Sequence, residues 1–575
     1  MRDVRAKIIA KITQAIVGLS ITGRFVFGVL TVTCIVAIVW MLSAISLHFI
    51  VTIPAYGGTV TIGSVGNPQL INPVLAISTT DKDMTTLVYS GLTRWDPQRH
   101  TFIPDLADHW TVSPDGTTYT FTLKKGLTFQ DGTPLTADDV VFTVHAIQNP
   151  ALQSPRAADW AGITVKKIDR YTVQFILPAP YAPFIENTTV GILPAHLWKN
   201  LSPTNFLNSP LNSIPIGSGP YAVAYIHYTR NNVATSYVLT PFSHFALGQP
   251  YISHVIVHFY QDTATALTAA LNHQIDELDS IPVAQTTKLS AAGFSIDHFP
   301  LPRVFGIFFN QTQNIALADP VVRQALALAT NRTPIIQTVF GNAAHPLNGP
   351  VPAAFLNMPP LPTSPASTSL AAALLDKDGW ILNTNGIREK KRATGTTTLS
   401  FAISTADAPE LVAVANLLAS QWRAIGADVA VKVFQSGFED QVIQPRNYDA
   451  LLFGQDVGRD FDLYPFWASS QVANPGLNIA LYKNPTADIL LNDLRATSSP
   501  EIRQQAYTVF ATMLSQDVPA IFLYEPDLID ARRRILGGNV GPIIEENERL
   551  NDIYRWYVRT QDVWKIFASN ATTTS

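Results

Sequence analysis

From Phe25 to Ile53 the chain reads FVFGVLTVTCIVAIVWMLSAISLHFIVTI, a run with no acid, lysine or arginine. About 20 apolar residues suffice to span a bilayer, so this run predicts a membrane-crossing anchor over 25–53. Arg2, Arg5, Lys7, Lys11 and Arg24 precede it, and the bias of basic residues toward the cytoplasm puts residues 1–24 inside the cell. The bulk of the chain then lies outside, held at the cell membrane by a single pass. A cleaved signal peptide is the alternative. Its apolar region runs ~7–15 residues and ends in small residues, whereas this run is longer and shows no A-x-A site.

Beyond Pro54 the pattern changes to short elements. Residues 109–123 alternate into Ser113-Pro114-Asp115-Gly116 and out again through Tyr119, Phe121 and Leu123, which predicts a hairpin with one apolar face. Asp131-Gly132 marks a second turn, and Thr136 followed by Asp138-Asp139 caps a helix. Over 397–455 the periods alternate: LSFAIS reads as a strand, 409–425 as a helix ended by Gly426, ADVAVKVF as a strand, 437–444 as a shorter helix and YDALLFG as a strand. This β-α-β-α-β order predicts a parallel sheet in an open α/β layer. Ligands of such sheets bind beyond the carboxyl ends of the strands, here Ser404-Thr405, Phe434-Gln435-Ser436 and Gly454 to Asp460. Tyr89, Trp422, Phe434, Phe466 and Trp467 flank these elements, and a minority of them is expected to touch a ligand. The Pro/Ala/Ser-rich stretch 350–368 reads as a surface connection, and no internal repeat is evident.

Composition narrows the chemistry. The 575 residues exceed what one core supports, about 250–300 residues. A net charge of −4 gives no basic field for nucleic acid. With Cys34 as the one cysteine, a disulfide framework and a thiolate cluster are excluded within the chain; it sits inside the apolar run, without the small residues of a lipidation site. No nucleophile elbow, P-loop, zincin or dinucleotide fingerprint is present, and no cofactor is called for. Gly217-Ser218-Gly219 lacks the elbow spacing and reads as a tight turn. His254 and His258 share a strand face at about 13 Å separation, too far for one ion. Asp456, Asp460 and Asp462 form the remaining cluster. Paired carboxylates serve glycoside hydrolysis at ~5–9.5 Å separation, or hold an ammonium group, or cap a loop.

Five segments then resemble one family in order: LVYSGLTRWDP; IPDLADHWTVSPDGTTYTFTLKKGLTFQDGTPLTADDVVFT; PIGSGPY; FGIFFNQ with ADPVVRQALALATNR; and LAAALLDKDGWILNTNGIRE before YDALLFGQD and DFDLYPFW. Residues 57 to about 560 resemble the family 5 extracellular solute-binding proteins, receptors of ABC importers for oligopeptides, dipeptides and nickel. The resemblance implies a two-lobed α/β clamp of the periplasmic-binding-protein kind. Lobe I would span 56–302 with an extra subdomain at about 96–215, lobe II 303–518, a return to lobe I 519–560, and a tail 561–575. It implies no enzyme activity. A monomeric receptor would bind a peptide between the lobes and deliver it to ABC permease subunits. Ligand main chain would pair with strand edges near Ser64, Val65, Gly66 and Asn67 and near Gly454 to Gly458. The family's acid for a peptide α-amino group aligns with Gly458, leaving Asp456 and Asp460 as the acids nearby. The same fold holding an oligosaccharide or a metal chelate is the second reading, and an anchored hydrolase using Asp456, Asp460 and Asp462 the third. His100, His109 and His145 fall in the extra subdomain, which argues against a chelate.

Overall fold

The computed structural model describes residues 11, 13–97, 99, 101–352, 365–393, 395–459, 461–497, 499–538, 540–565 and 568, with the side chains of 42–48 and 500 left aside. His100, Asp460 and most of the 350–368 connection therefore lie outside the described residues. Two compact units result: one made of 1–56 with 557–575, the other of 57–556.

In the first unit a helix runs Ile21–Phe49, opened by the Ser20 hydroxyl, which accepts the Gly23 N–H. Its stretch Ile21–Met41 is long and apolar enough to cross a membrane, a test that signal sequences also pass. The helix stops at Phe49, four residues before the end of the apolar run. The β-branched residues Ile50, Val51, Thr52 and Ile53 before Pro54 favour the extended strand Ile50–Ala55 instead. That strand pairs antiparallel with Arg559–Trp564, near the chain's other end, and Thr52 donates a hydrogen bond to Asp562.

The second unit is organised on one mixed sheet. Its order is Asp428–Phe434, Ser400–Ala406, Ala450–Asp456, Arg303–Phe309, Ala520–Arg533, Glu277–Leu278, Thr59–Val65, His254–Tyr260, Ala234–Pro241 and Tyr221–Tyr228. The fourteen-residue strand Ala520–Arg533 joins the halves: Ala520 to Tyr524 pair with Arg303–Phe309, and Asp527 to Arg533 pair with Phe294–Pro300. The strands at 59–65, 254–260 and 277–278 make a first lobe, and those at 303–309, 400–406, 428–434 and 450–456 a second.

The β-α-β unit lies in the second lobe. Ser400–Ala406 pairs parallel with both Asp428–Phe434 and Ala450–Asp456. Pro409 opens the connecting helix Pro409–Arg423 at a position whose missing N–H costs nothing. Gly426, at φ +90, lets the chain turn back into the sheet. The helix buries Val414, Ala415, Leu418, Ala419 and Trp422, one stripe at helical spacing, onto the sheet. The shorter helix expected at 437–444 is a five-residue π-helical turn, Glu439–Ile443.

On the first lobe, the predicted hairpin is formed by Ala107–Val112 and Thr118–Leu123. It joins Thr172–Ile176 and Thr164–Lys167 in a four-stranded sheet whose apolar face is packed by Phe121, Phe175, Phe184 and Trp160. Thr136 caps the helix Ala137–Gln148, and the Asp139 carboxylate accepts the Thr136 N–H at 2.8 Å, an arrangement worth about 1 kcal/mol.

Candidate ligand-binding cleft

Between the two lobes lies a cavity of about 440 Å³. Four stretches of chain make most of its wall: residues 73–95 and 181–191 from the first lobe, 456–466 from the second, and 544–551 after the long strand. The second-lobe stretch begins where Ala450–Asp456 ends. This is the carboxyl end of a central strand, where side chains and backbone donors face outward from the sheet.

Tyr89 is held at the base of the wall by close backbone packing. The glycines of PIGSGPY have no positive φ; they permit close approach instead of a turn. A Cβ on Gly217 would fall 2.1 Å from the Val88 carbonyl oxygen, and one on Gly191 would fall 2.6 Å from the Tyr89 Cβ. Gly219 donates to the Val88 carbonyl at 2.8 Å, which fixes the same stretch. The Tyr89 hydroxyl, the Ser90 hydroxyl and the Asn547 side-chain oxygen are buried in this wall without a hydrogen-bond partner among the described residues. Each such group costs about 1–3 kcal/mol unless a partner arrives, so the wall is suited to a polar ligand. Burial pushes the Tyr89 phenol far up, so it stays a neutral donor.

The charged groups of the wall are matched to one another. The Arg459 guanidinium crosses from the second lobe, lies 3.8 Å from the centre of the Trp95 ring and meets Glu548 at 2.6 Å. Lys82 pairs with Glu545 at 3.0 Å; burial works against that carboxylate's charge, but Lys82 and Arg156 outweigh it and hold the group below its usual range. Asp462 takes Arg495 at 2.6 Å and the Tyr181 hydroxyl at 3.5 Å. Asp456 sits 3.8 Å from Arg303 and accepts the Gly458 N–H; its partial removal from water pushes its carboxyl up against both. Among the described residues, none that lines the cavity is a histidine.

Of the residues expected to bind ligand, Tyr89, Asp456 and Gly458 stand in this wall. Asp460 is outside the described residues. Ser64 is buried against Thr80, the Val65 carbonyl accepts from Thr80, Gly66 donates to Tyr260, and Asn67 is exposed beyond them. Ser404 and Thr405 are buried within the second-lobe sheet, and Thr405 donates to the Leu452 carbonyl. Phe434 packs on Phe438, Gln435 is exposed, and Gly454 faces Phe305, whose ring a Cβ would meet at 2.7 Å. These nine lie off the cavity wall, because helix and sheet packing claims the strand ends that carry them. Of the flanking aromatics, Phe466 reaches the wall, while Trp422 and Trp467 fill second-lobe cores. Trp422 donates to the Leu326 carbonyl and to Thr330 at 3.1 Å each.

Sequence reasoning passed over Arg459, Trp95, Glu186 and the stretch 544–551. Trp95 stood within a quoted motif. The acid-rich run Glu545-Glu546-Asn547-Glu548 was the available signal for the last, since such a run requires nearby cations or water.

Comparison with known proteins gives consistent results. The description "Bacterial extracellular solute-binding proteins, family 5 Middle" matches residues 101–474. The oligopeptide-binding protein AppA of Bacillus subtilis (strain 168) is 28% identical over 495 residues, covering 82% of this chain and 87% of its own. The structure of AppA from Bacillus subtilis in complex with a nonapeptide superposes with TM-score 0.69 at 26% identity, over 88% of this chain and 100% of the other. NikZ from Campylobacter jejuni in complex with Ni(L-His) gives TM-score 0.70 at 27% identity, over 87% and 99%.

Proposed function

The chain belongs to the bacterial extracellular solute-binding proteins of family 5, two-lobed binding receptors and not enzymes, and from that membership we propose that it captures peptides in the interlobe cleft. The observation that carries this reading is the set of buried, unpartnered neutral groups in the cleft, Tyr89, Ser90 and Asn547. They offer a peptide main chain both donors and acceptors, independent of its side chains. The likeness to AppA, whose structure holds a nonapeptide, supports the same ligand class. In this reading Asp456 and Gly458, beside Arg459, form the second-lobe jaw. Of the other strand-end residues, the exposed Val65, Asn67 and Gln435 are the ones that contribute on a wider opening of the lobes. The helix Ile21–Phe49 tethers a monomeric receptor at the outer face of the cell membrane, from which it delivers ligand to an ABC importer.

The test is native mass spectrometry of the full chain purified in nanodiscs. Bound masses that fragment as peptides support the reading, and a single non-peptide mass, such as a metal chelate, overturns the peptide assignment. With a bound peptide in hand, Tyr89→Phe is expected to weaken its affinity by roughly three- to tenfold in calorimetric titration, the net worth of one hydrogen bond. An unchanged affinity would remove Tyr89 from the site.

A further inference from the structure

We propose that Arg459 is a built-in occupant of a cation subsite in the cleft, so that this receptor selects peptides without using their α-ammonium group there. The inference rests on the peptide reading above. Arg459 follows Gly458, whose φ of +63 turns the loop toward the first lobe. Its side chain is 8% exposed, with the guanidinium carbon 3.8 Å from the centre of the Trp95 ring, Nη2 2.6 Å from Glu548 and Nε 4.0 Å from Glu186. Trp95, Glu186 and Glu548 come from three separate stretches of the chain. The Ile544 N–H donates to the other Glu548 oxygen at 2.8 Å, which fixes that carboxylate in place. An aromatic face with two carboxylates is the chemistry that recognises an alkylammonium or guanidinium ion. Here the chain supplies that ion itself.

Four of the remaining acids of the wall already have a cation within ion-pair distance, whereas Asp159 has none among the described residues. Asp105 is held by Arg94 at 3.1 Å, Glu545 by Lys82, Asp456 by Arg303 and Asp462 by Arg495, and Asp159 lies in the field of Arg156. A tethered guanidinium also competes with a free ligand cation at high effective concentration. Besides Asp159, what is left for the ligand is neutral: the hydroxyls of Tyr89 and Ser90 and the amide oxygen of Asn547.

The experiment compares one peptide with its N-acetylated form by calorimetric titration against the full chain and Arg459→Ala. Wild type is expected to bind both forms within about threefold, whereas in the variant the vacated subsite favours the free amine by about tenfold. A wild type that prefers the free amine by tenfold or more, through Asp460 or any other acid, overturns the proposal, as does an unchanged ratio in the variant. If neither form binds wild type, the peptide reading fails, and the subsite is tested separately by thermal melting with methylguanidinium. A saturable rise in Tm for Arg459→Ala, absent from wild type and from Arg459→Ala/Glu548→Gln, supports the subsite; no rise overturns it. Arg459→Gln serves in the same assays if the alanine variant does not fold.

Discussion

Replacing Arg549 by methionine is expected to lower the stability of the 57–556 unit by about 3–5 kcal/mol and to disorder one wall of the cleft, because it strips a buried carboxylate cluster of its cation. Arg549 has no exposed side-chain surface. It holds Asp83 through two bonds of 2.7 and 2.8 Å, Glu277 at 2.7 Å and Asp279 at 3.3 Å. These acids come from the helix Thr79–Val88 and from the segment at 277–279, so one guanidinium ties together parts of the chain far apart in sequence. Burial pushes Asp279 up to about 7 even with Arg549 present, and pushes neighbouring Asp530 well above the carboxylate range, with the Glu277 charge adding to it. Without Arg549 the acids must take up protons to stay buried. The loss should therefore be larger at pH 8 than at pH 5, measured as the fall in urea midpoint followed by tryptophan fluorescence. Arg549 also donates to the Glu546 carbonyl at 2.9 Å and thereby positions Asn547 and Glu548 in the cleft. A midpoint that falls equally at both pH values would show that packing, not uncompensated charge, sets the cost.

The cleft was less legible in the sequence than the scaffold, and the reason is the range of the interactions involved. The hairpin at 107–123, the capped helix at 137–148 and the parallel unit at 400–434 announce themselves because turn residues, caps and periodicity act within a few positions. The rule that ligands sit beyond strand carboxyl ends found the stretch after Ala450–Asp456, yet it could not rank the three parallel ends. Packing decides that: Thr405 bonds to Leu452 inside the sheet, and Phe434 turns to Phe438. Arg459 sat between two residues singled out as binders, but its partners Trp95, Glu186 and Glu548 lie at long sequence separation and carry no local signal. The run 50–53 misled for a different reason. Its residues are as apolar as those of the helix before it, and their β-branching, not their hydropathy, ends the helix at Phe49.

The second large effect is expected at the strand that joins the lobes. Glu525 and Asp527 lie where Ala520–Arg533 passes from pairing with Arg303–Phe309 to pairing with Phe294–Pro300. Glu525 is 5% exposed, and one of its oxygens has no partner among the described residues. Burial, and then the charge of Asp527, push it up to about 7 from an ordinary value of 4.5. Two imidazoles reach Asp527 from either side, His298 at 3.3 Å and His345 at 3.1 Å, and occupy its carboxylate rather than that of Glu525. Because the folded value lies above the unfolded one, the folded state holds this proton more tightly. Its stabilising contribution is complete below about pH 4.5 and is lost as pH rises toward 7, by up to ~3 kcal/mol. Above pH 7 wild type carries a buried, unpaired carboxylate at the junction, which Glu525→Gln removes at nearly constant volume. The variant is expected to match wild type in urea midpoint at pH 5 and to exceed it at pH 8 by the equivalent of about 1–3 kcal/mol. Parallel midpoint-versus-pH curves for the two proteins would mean that Glu525 is ionised in the native state throughout.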